Sequence, residues 1–309
     1  MQLISSNTNI DFVSKTRFFA IVSILAVVAS IFLIATRGFN LGIEFVGGTT
    51  IQIKLPEALA SANEGTLRGA MAALGYGSAE IVRFGALEEQ EFQIRIRESQ
   101  ENNKDLSVEI LNGLAENLGV DALQAQKVES IGPRVGKELQ RDGLAAVGWA
   151  CLAILLYVWI RFDRRYAPGA VAALLHDVTI TAGIFSLLQI EFNMQALAAL
   201  LVVIGYSLND TIVIYDRIRE NVELRGKVQL ADVVNQSINQ TLSRTLLTSI
   251  TTLIVVFSLL FLGGPVIRNF SLALSIGGGI GTYSTIFVAS ALLIWLERYF
   301  AERDAAAAG

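Results

Sequence analysis

The sequence is poor in the residues that staple or charge a soluble protein. It has one cysteine, Cys151, and one histidine, His176, so it can form neither a disulfide framework nor a zinc site of recognisable spacing, and no metal or other cofactor is expected. Its four prolines, Pro56, Pro133, Pro168 and Pro265, all stand outside or at the edges of the long apolar runs, where a missing N–H and a fixed φ do least harm to a helix. Charged residues are 17% of the 309, against 53% hydrophobic, and mean hydropathy is +0.52, which excludes an ordinary soluble domain. The net charge of −4 comes without a clustered basic face, so nucleic acid is excluded as a partner.

Six apolar stretches come close to the ~20 residues that a membrane-spanning helix needs, at 18–35, 143–160, 169–188, 194–215, 246–262 and 270–295. The first follows Lys15 and Arg17, as a signal peptide would. It is longer than a signal core and runs straight into Thr36 and Arg37 without a cleavage pattern, which predicts an uncleaved span. Basic residues collect after the second stretch (Arg161, Arg164, Arg165) and after the fourth (Arg217, Arg219, Arg225, Lys227), whereas residues 189–193 have none. Both termini are therefore expected in the cytoplasm, with the long segment 37–142 on the opposite side. The expected division is 1–36 for the N-terminus and first span, 37–142 for the outer domain and its junction, 143–298 for a five-helix bundle, and 299–309 for a cytoplasmic tail.

The outer segment alternates like strands at 49–55, 79–84, 91–96 and 123–128, with helical patterns at 64–74 and 105–118. That order, βαββαβ, predicts a ferredoxin-like α+β domain, a fold that says nothing specific about function. The fold class is thus a polytopic α-helical membrane protein with six spans, carrying this domain between the first and second.

Chemistry is expected around Asp210. A carboxylate near the bilayer centre costs ~2.5–3.5 kcal/mol on insertion scales, so it needs a proton or a partner. Tyr206 and Ser207 stand at i−4 and i−3, and Asn209 and Thr211 flank it, which draws a polar patch on an apolar helix. Arg244 opens the fifth span, followed by Thr248, Thr251 and Thr252 at helical spacing. Both charges belong to the cytoplasmic half, so Arg244 is the expected partner of Asp210, either as a structural ion pair or as part of a proton relay. His176 and Asp177 form a second polar spot in the third span. As adjacent residues they point about 100° apart and are not expected to share a face. A Gly-x-x-x-Gly step from Gly277 to Gly281 predicts close helix packing.

Four segments carry a family resemblance: Gly42-Ile43-Glu44-Phe45-Val46-Gly47-Gly48, the run from Gly205 to Arg217, Arg244 to Ser249, and Ile131-Gly132-Pro133-Arg134-Val135-Gly136. Together they make the chain resemble the SecF family of bacterial protein-export subunits, from about residue 18 to 298. Glu44 departs from the family's shorter acidic residue, retaining the carboxylate with one more methylene. The resemblance implies an inner-membrane protein with a periplasmic outer domain and no enzymatic chemistry of its own. It implies pairing with SecD in a twelve-span bundle similar to that of resistance–nodulation–division transporters, with protons as the coupling ion for preprotein movement. Expected partners are SecD, the SecYEG translocon, SecA, YidC, YajC and the preprotein. Asp210, Arg244, Asn209, Ser207 and Thr248 then match the proton pathway, and Glu44, Phe45, Gly47 and Gly48 the periplasmic motif. Two other classes compete: a half-transporter for a small amphipathic substrate, and a passive translocon scaffold.

Overall fold

The computed structural model describes residues 8–84, 90–97, 103–162, 166–225 and 229–308; Arg164, Arg165 and Lys227, three of the basic residues used for orientation, lie outside them. Six helical segments are long and apolar enough to cross a membrane: Val13–Arg37, Pro133–Arg161, Ala167–Leu188, Met194–Leu224, Leu230–Leu262 and Gly264–Phe300. In chain order the elements begin with helix α1 (Thr16–Arg37), strand β1 (Asn40–Leu41) and the one-turn helix α2 (Ile43–Val46). The outer domain follows as β2 (Gly48–Lys54), α3 (Glu64–Ala73), β3 (Glu80–Phe84), β4 (Glu91–Ile96), α4 (Asn103–Leu118) and β5 (Ala125–Ile131). Then come α5 (Pro133–Arg161), α6 (Ala167–Leu188), β6 (Glu191–Phe192), α7 (Met194–Arg225), α8 (Leu230–Leu262), α9 (Gly264–Ser284), a π turn at Thr285–Ala289, and α10 (Ser290–Ala308).

Local chemistry sets several of these ends. Asn63 accepts the Thr66 N–H at 3.0 Å, and the Thr66 side chain accepts in return from the Asn63 N–H, a reciprocal cap that starts α3. Pro133, Pro168 and Pro265 sit in the first turns of α5, α6 and α9, where their missing N–H is harmless. In the outer domain the strand order is β3-β4-β2-β5, antiparallel throughout, with Ile51 opposite Ile94 and Ile53 opposite Phe92. The period-2 pattern turns these side chains to one face, where Leu67 and Met71 of α3 and Ile110 and Leu114 of α4 cover them, all fully buried.

The membrane helices differ from expectation in extent. α8 starts at Leu230, sixteen residues before the apolar run at 246, because its first half is amphipathic: Val233, Val234 and Ile238 are buried while the polar side stays outside the hydropathy window. α5 likewise starts at Pro133 rather than 143, and α10 continues through the expected tail. α7 continues to Arg225, ten residues past the expected span end at 215; Asp216 pairs with Arg161 at 3.2 Å, and Arg217 with Glu220 at 2.6 Å.

Close helix contacts rest on small residues. Gly277 lies against Val203 and Gly281 against Ser207, so the glycine step packs α9 on α7; Gly183 gives room for Ser30 where α6 crosses α1. The π turn shifts the backbone register by one residue. Ser290 Oγ donates to the Thr285 carbonyl five residues back at 3.2 Å, and the Ala289 carbonyl accepts from Tyr215 Oη at 3.0 Å.

The outer domain is tied to the bundle at two places. β1 pairs in parallel with β6, Asn40 opposite Glu191 and Leu41 opposite Phe192, and Arg95 on β4 pairs with Glu191 at 2.6 Å. The tie is a second strand pairing that no sequence period announced.

Candidate functional site

Two buried carboxylates face different neighbours inside the bundle. α7 carries Asp210, which is 4% exposed, and turns it toward α8. There Thr248 Oγ1 stands 3.5 Å from Asp210 Oδ1, while the same hydroxyl is 2.9 Å from the Thr245 carbonyl and 3.1 Å from the Arg244 carbonyl. One hydroxyl has one proton. Thr248 can therefore donate to its own helix or to Asp210, not to both at full strength.

Arg244 is not the direct partner that the sequence suggests: among the described residues no ion pair within 4 Å joins it to Asp210. It stands one turn, ~6 Å along the axis, on the terminal side of Thr248. There it lines an open cleft of about 440 Å³ together with Arg161, Asp216, Arg217 and Glu220. The physical reason is reach, since a guanidinium on a long flexible stem is placed by its polar neighbours, here those of the cleft.

Ser207 also departs from expectation. Three residues before Asp210, it is rotated toward α6 and donates to Asp177 Oδ2 at 2.5 Å. Ser284 donates to the same oxygen at 2.8 Å, and His176 Nδ1 lies 2.8 Å from Asp177 Oδ1. Adjacent residues thus do meet, because the imidazole swings along the helix axis to the neighbouring carboxylate rather than outward. Asp177 is 0% exposed and its two oxygens have three partners, the usual condition for a buried carboxylate. His176 stacks on Tyr283 at 6.1 Å, and its Nε2 has no protein partner among the described residues.

Further hydroxyl pairs line the helix contacts near the two carboxylates. Thr211 Oγ1 is 3.2 Å from Thr285 Oγ1 and 3.2 Å from the Ser207 carbonyl, and Ser249 meets Thr282 at 2.7 Å. The Tyr206 Oη, Ser271 Oγ and Ser275 Oγ are buried without a protein partner among the described residues, on the α7–α9 side that leads away from Arg244. Asn209, by contrast, is exposed on α7. Ser284, Thr285, Ser249 and Thr282 were missed in the sequence, although Tyr283-Ser284-Thr285 is a visible polar run inside the last apolar stretch.

The outer motif is brought together with the α5 junction. Gly47 and Gly48 have φ of +82° and +145°, and a Cβ on Gly47 would lie 2.9 Å from Pro133 Cα. Gly136 presses back, its would-be Cβ 2.9 Å from the Gly47 nitrogen. Phe45 is buried and stacks on Phe192 at 6.0 Å, and Glu44 Oε2 is buried with no hydrogen-bond partner among the described residues. Burial raises the Glu191 carboxyl above its ordinary value, against the opposing pull of Arg95.

Comparison with known proteins places this arrangement. A family model described as protein export membrane protein SecD/SecF, C-terminal, matches residues 111–299, and one for the SecD/SecF GG motif matches residues 32–55. The protein translocase subunit SecF of Magnetococcus marinus is 43% identical over 300 residues, covering 96% of this chain and 95% of the relative. That of Calditerrivibrio nitroreducens is 45% identical, covering 96% and 97%. The crystal structure of SecDF, a translocon-associated membrane protein from Thermus thermophilus, is similar with a TM-score of 0.83 at 36% identity. That similarity covers 96% of this chain, which spans 40% of the larger protein.

Proposed function

The chain belongs to the SecD/SecF family of protein-export membrane proteins and is a SecD-associated subunit of the Sec machinery, and from that premise we propose that proton uptake and release at Asp210 drives its part in preprotein movement. One observation carries this reading: a carboxylate 4% exposed within a spanning helix, with the movable Thr248 hydroxyl beside it and no ion pair within 4 Å among the described residues. A permanently ionised Asp210 would be poorly compensated there, whereas a group that alternates between neutral and charged uses both states of the site. When ionised, Asp210 attracts the Thr248 hydroxyl and the positive field of Arg244. When protonated, it releases both, and Thr248 returns to its own backbone. A proton moving through the field supplies ~2.3 kcal/mol per 100 mV, enough to bias such a two-state element.

The same reading puts both termini in the cytoplasm and the outer domain, of the ferredoxin-like kind, in the periplasm of an inner membrane. It assigns the divisions 1–36, 37–142, 143–298 and 299–309 to the roles given by topology, with no enzymatic step and no cofactor beyond the proton. Asn209, polar yet exposed at membrane depth, fits a face covered by SecD, and SecYEG, SecA, YidC and YajC are the further partners of this assembly. A half-transporter is disfavoured by the small outer domain, whose core is filled by Ile51, Phe92, Met71 and their neighbours. Asp210→Asn separates the proton-driven subunit from a scaffold. Gradient-dependent secretion should fall at least tenfold with normal protein level and SecD association; unchanged secretion would sink the proposal.

A further inference from the structure

A trough runs between α1 and α10; neither carboxylate lines it, though its inner end reaches His176, the partner of Asp177. Its mouth, about 660 Å³, is lined by Arg17, Arg298 and Trp295, and its inner end, about 280 Å³, by Val28, Ser23 and His176. The two parts are continuous, since Ala20, Ile24, Ala291 and Leu292 line both. Topology sets the mouth on the membrane face where both α1 and the last span have their terminal ends. From Arg17 to Val28 is eleven residues, or ~16 Å of helix, about half of a ~30 Å hydrocarbon core. The trough therefore has the depth of one leaflet, and a spanning helix of a partner would overrun it.

Its chemistry is graded along that depth. Two guanidinium groups stand at the surface, and neither has a hydrogen bond or ion pair among the described residues. Trp295, stacked on Tyr299 at 5.8 Å, lies at the same level, where amphipathic rings favour the interface. Below them the walls are aliphatic, with two alanines leaving a narrow slot. Among the described residues, Glu297 is not on the wall of the mouth, and Asp11 accepts from the Ser14 N–H at 3.0 Å.

We propose that this trough binds one anionic phospholipid, its phosphate held between Arg17 and Arg298 and an acyl chain lying along Ile24 and Leu292 toward His176. A cationic mouth over an apolar slot one leaflet deep matches that molecule in both charge and length.

The test is native mass spectrometry of the purified chain with its SecD partner, titrated with phosphatidylglycerol and with phosphatidylethanolamine of the same acyl chains. Phosphatidylglycerol should be retained preferentially. The double variant Arg17→Gln/Arg298→Gln should weaken it roughly 25-fold, taking ~1 kcal/mol per arginine near the surface, and should weaken phosphatidylethanolamine, whose phosphate is offset by its own ammonium, by much less. Arg17→Lys/Arg298→Lys should keep the preference, which separates a lost headgroup contact from misfolding, and Ala291→Phe should weaken both lipids by filling the slot. Equal retention of the two lipids, or a preference untouched by the glutamine variant, would overturn the proposal. So would disulfide capture of the partner subunit by Ala291→Cys, since protein would then cover the trough.

Discussion

Ser207 donates its hydroxyl to Asp177, not to Asp210 on its own helix, and so joins α7 to α6 at the most buried carboxylate of the bundle. The two acids thereby separate into different roles. Asp177 is saturated by three partners from α6, α7 and α9, as a structural carboxylate is, while Asp210 lies beside Asn209 and Ser249 and meets Thr248 at long range, a hydroxyl that has other options.

That division predicts opposite phenotypes. Ser207→Ala removes a hydrogen bond to a charged group and should cost about 1.5–3 kcal/mol of stability, read as a lower thermal midpoint in detergent. Secretion per folded molecule should stay near normal. A Ser207→Ala chain that is fully stable yet blocked in gradient-dependent secretion would place Ser207 in the proton path instead.

The distance between Asp210 and Arg244 makes a second prediction. Residues in direct contact couple by about 0.5–3 kcal/mol, so the Asp210→Asn, Arg244→Gln and double variants should show stability effects additive to within about 0.5 kcal/mol. Stronger coupling in the complex with SecD than in the isolated chain would show that assembly draws the pair together.

Thr248 offers a test of the movable hydroxyl. Thr248→Val keeps the shape and deletes the hydroxyl proton that stands 3.5 Å from Asp210 across the α7–α8 contact. Secretion should then shift its dependence on cytoplasmic pH, and Thr248→Ser should restore the normal profile. Identical profiles for valine and threonine would remove Thr248 from the mechanism.

Glu191 predicts a dependence of stability on pH in the outer domain and its tie. Its carboxyl is raised chiefly by burial and also by Glu44 and Glu80, with Arg95 and Arg97 opposing. A raised acid binds its proton more tightly when folded, so stability is highest below the ordinary carboxylate range and falls as pH rises through to the raised value. Glu191→Gln should flatten that fall in a thermal melt. A wild-type midpoint that climbs over the same interval because of Glu191 would reverse the sign and show that the Arg95 contact outweighs burial.

Much of the bundle was legible because lipid forces a simple code: ~20 apolar residues per span, with basic loops on one side. The strands of the outer domain were legible too, since Phe92 to Arg97 alternates strictly. What escaped was geometry around polar residues. Periodicity put Ser207 and Asp210 on neighbouring faces, but a 60° difference in azimuth was enough to give them to different helices. It could not show that Arg244 turns into the cleft with Asp216, because a long flexible side chain is placed by its neighbours. The first half of α8 was hidden for another reason, its amphipathic surface lowering the mean hydropathy that marks a span.

The two-residue pairing of β1 with β6 has a mechanical consequence. It is reinforced by Arg95 on Glu191, and it grips the short stretch between α6 and α7, whose inner parts carry Asp177 and Asp210. The outer domain is thus a crank with its handle in one compartment and its shaft ends on both acid-bearing helices. A displacement of the handle would be felt first by those helices, and a rotation of the helices by the handle, through the same pairing.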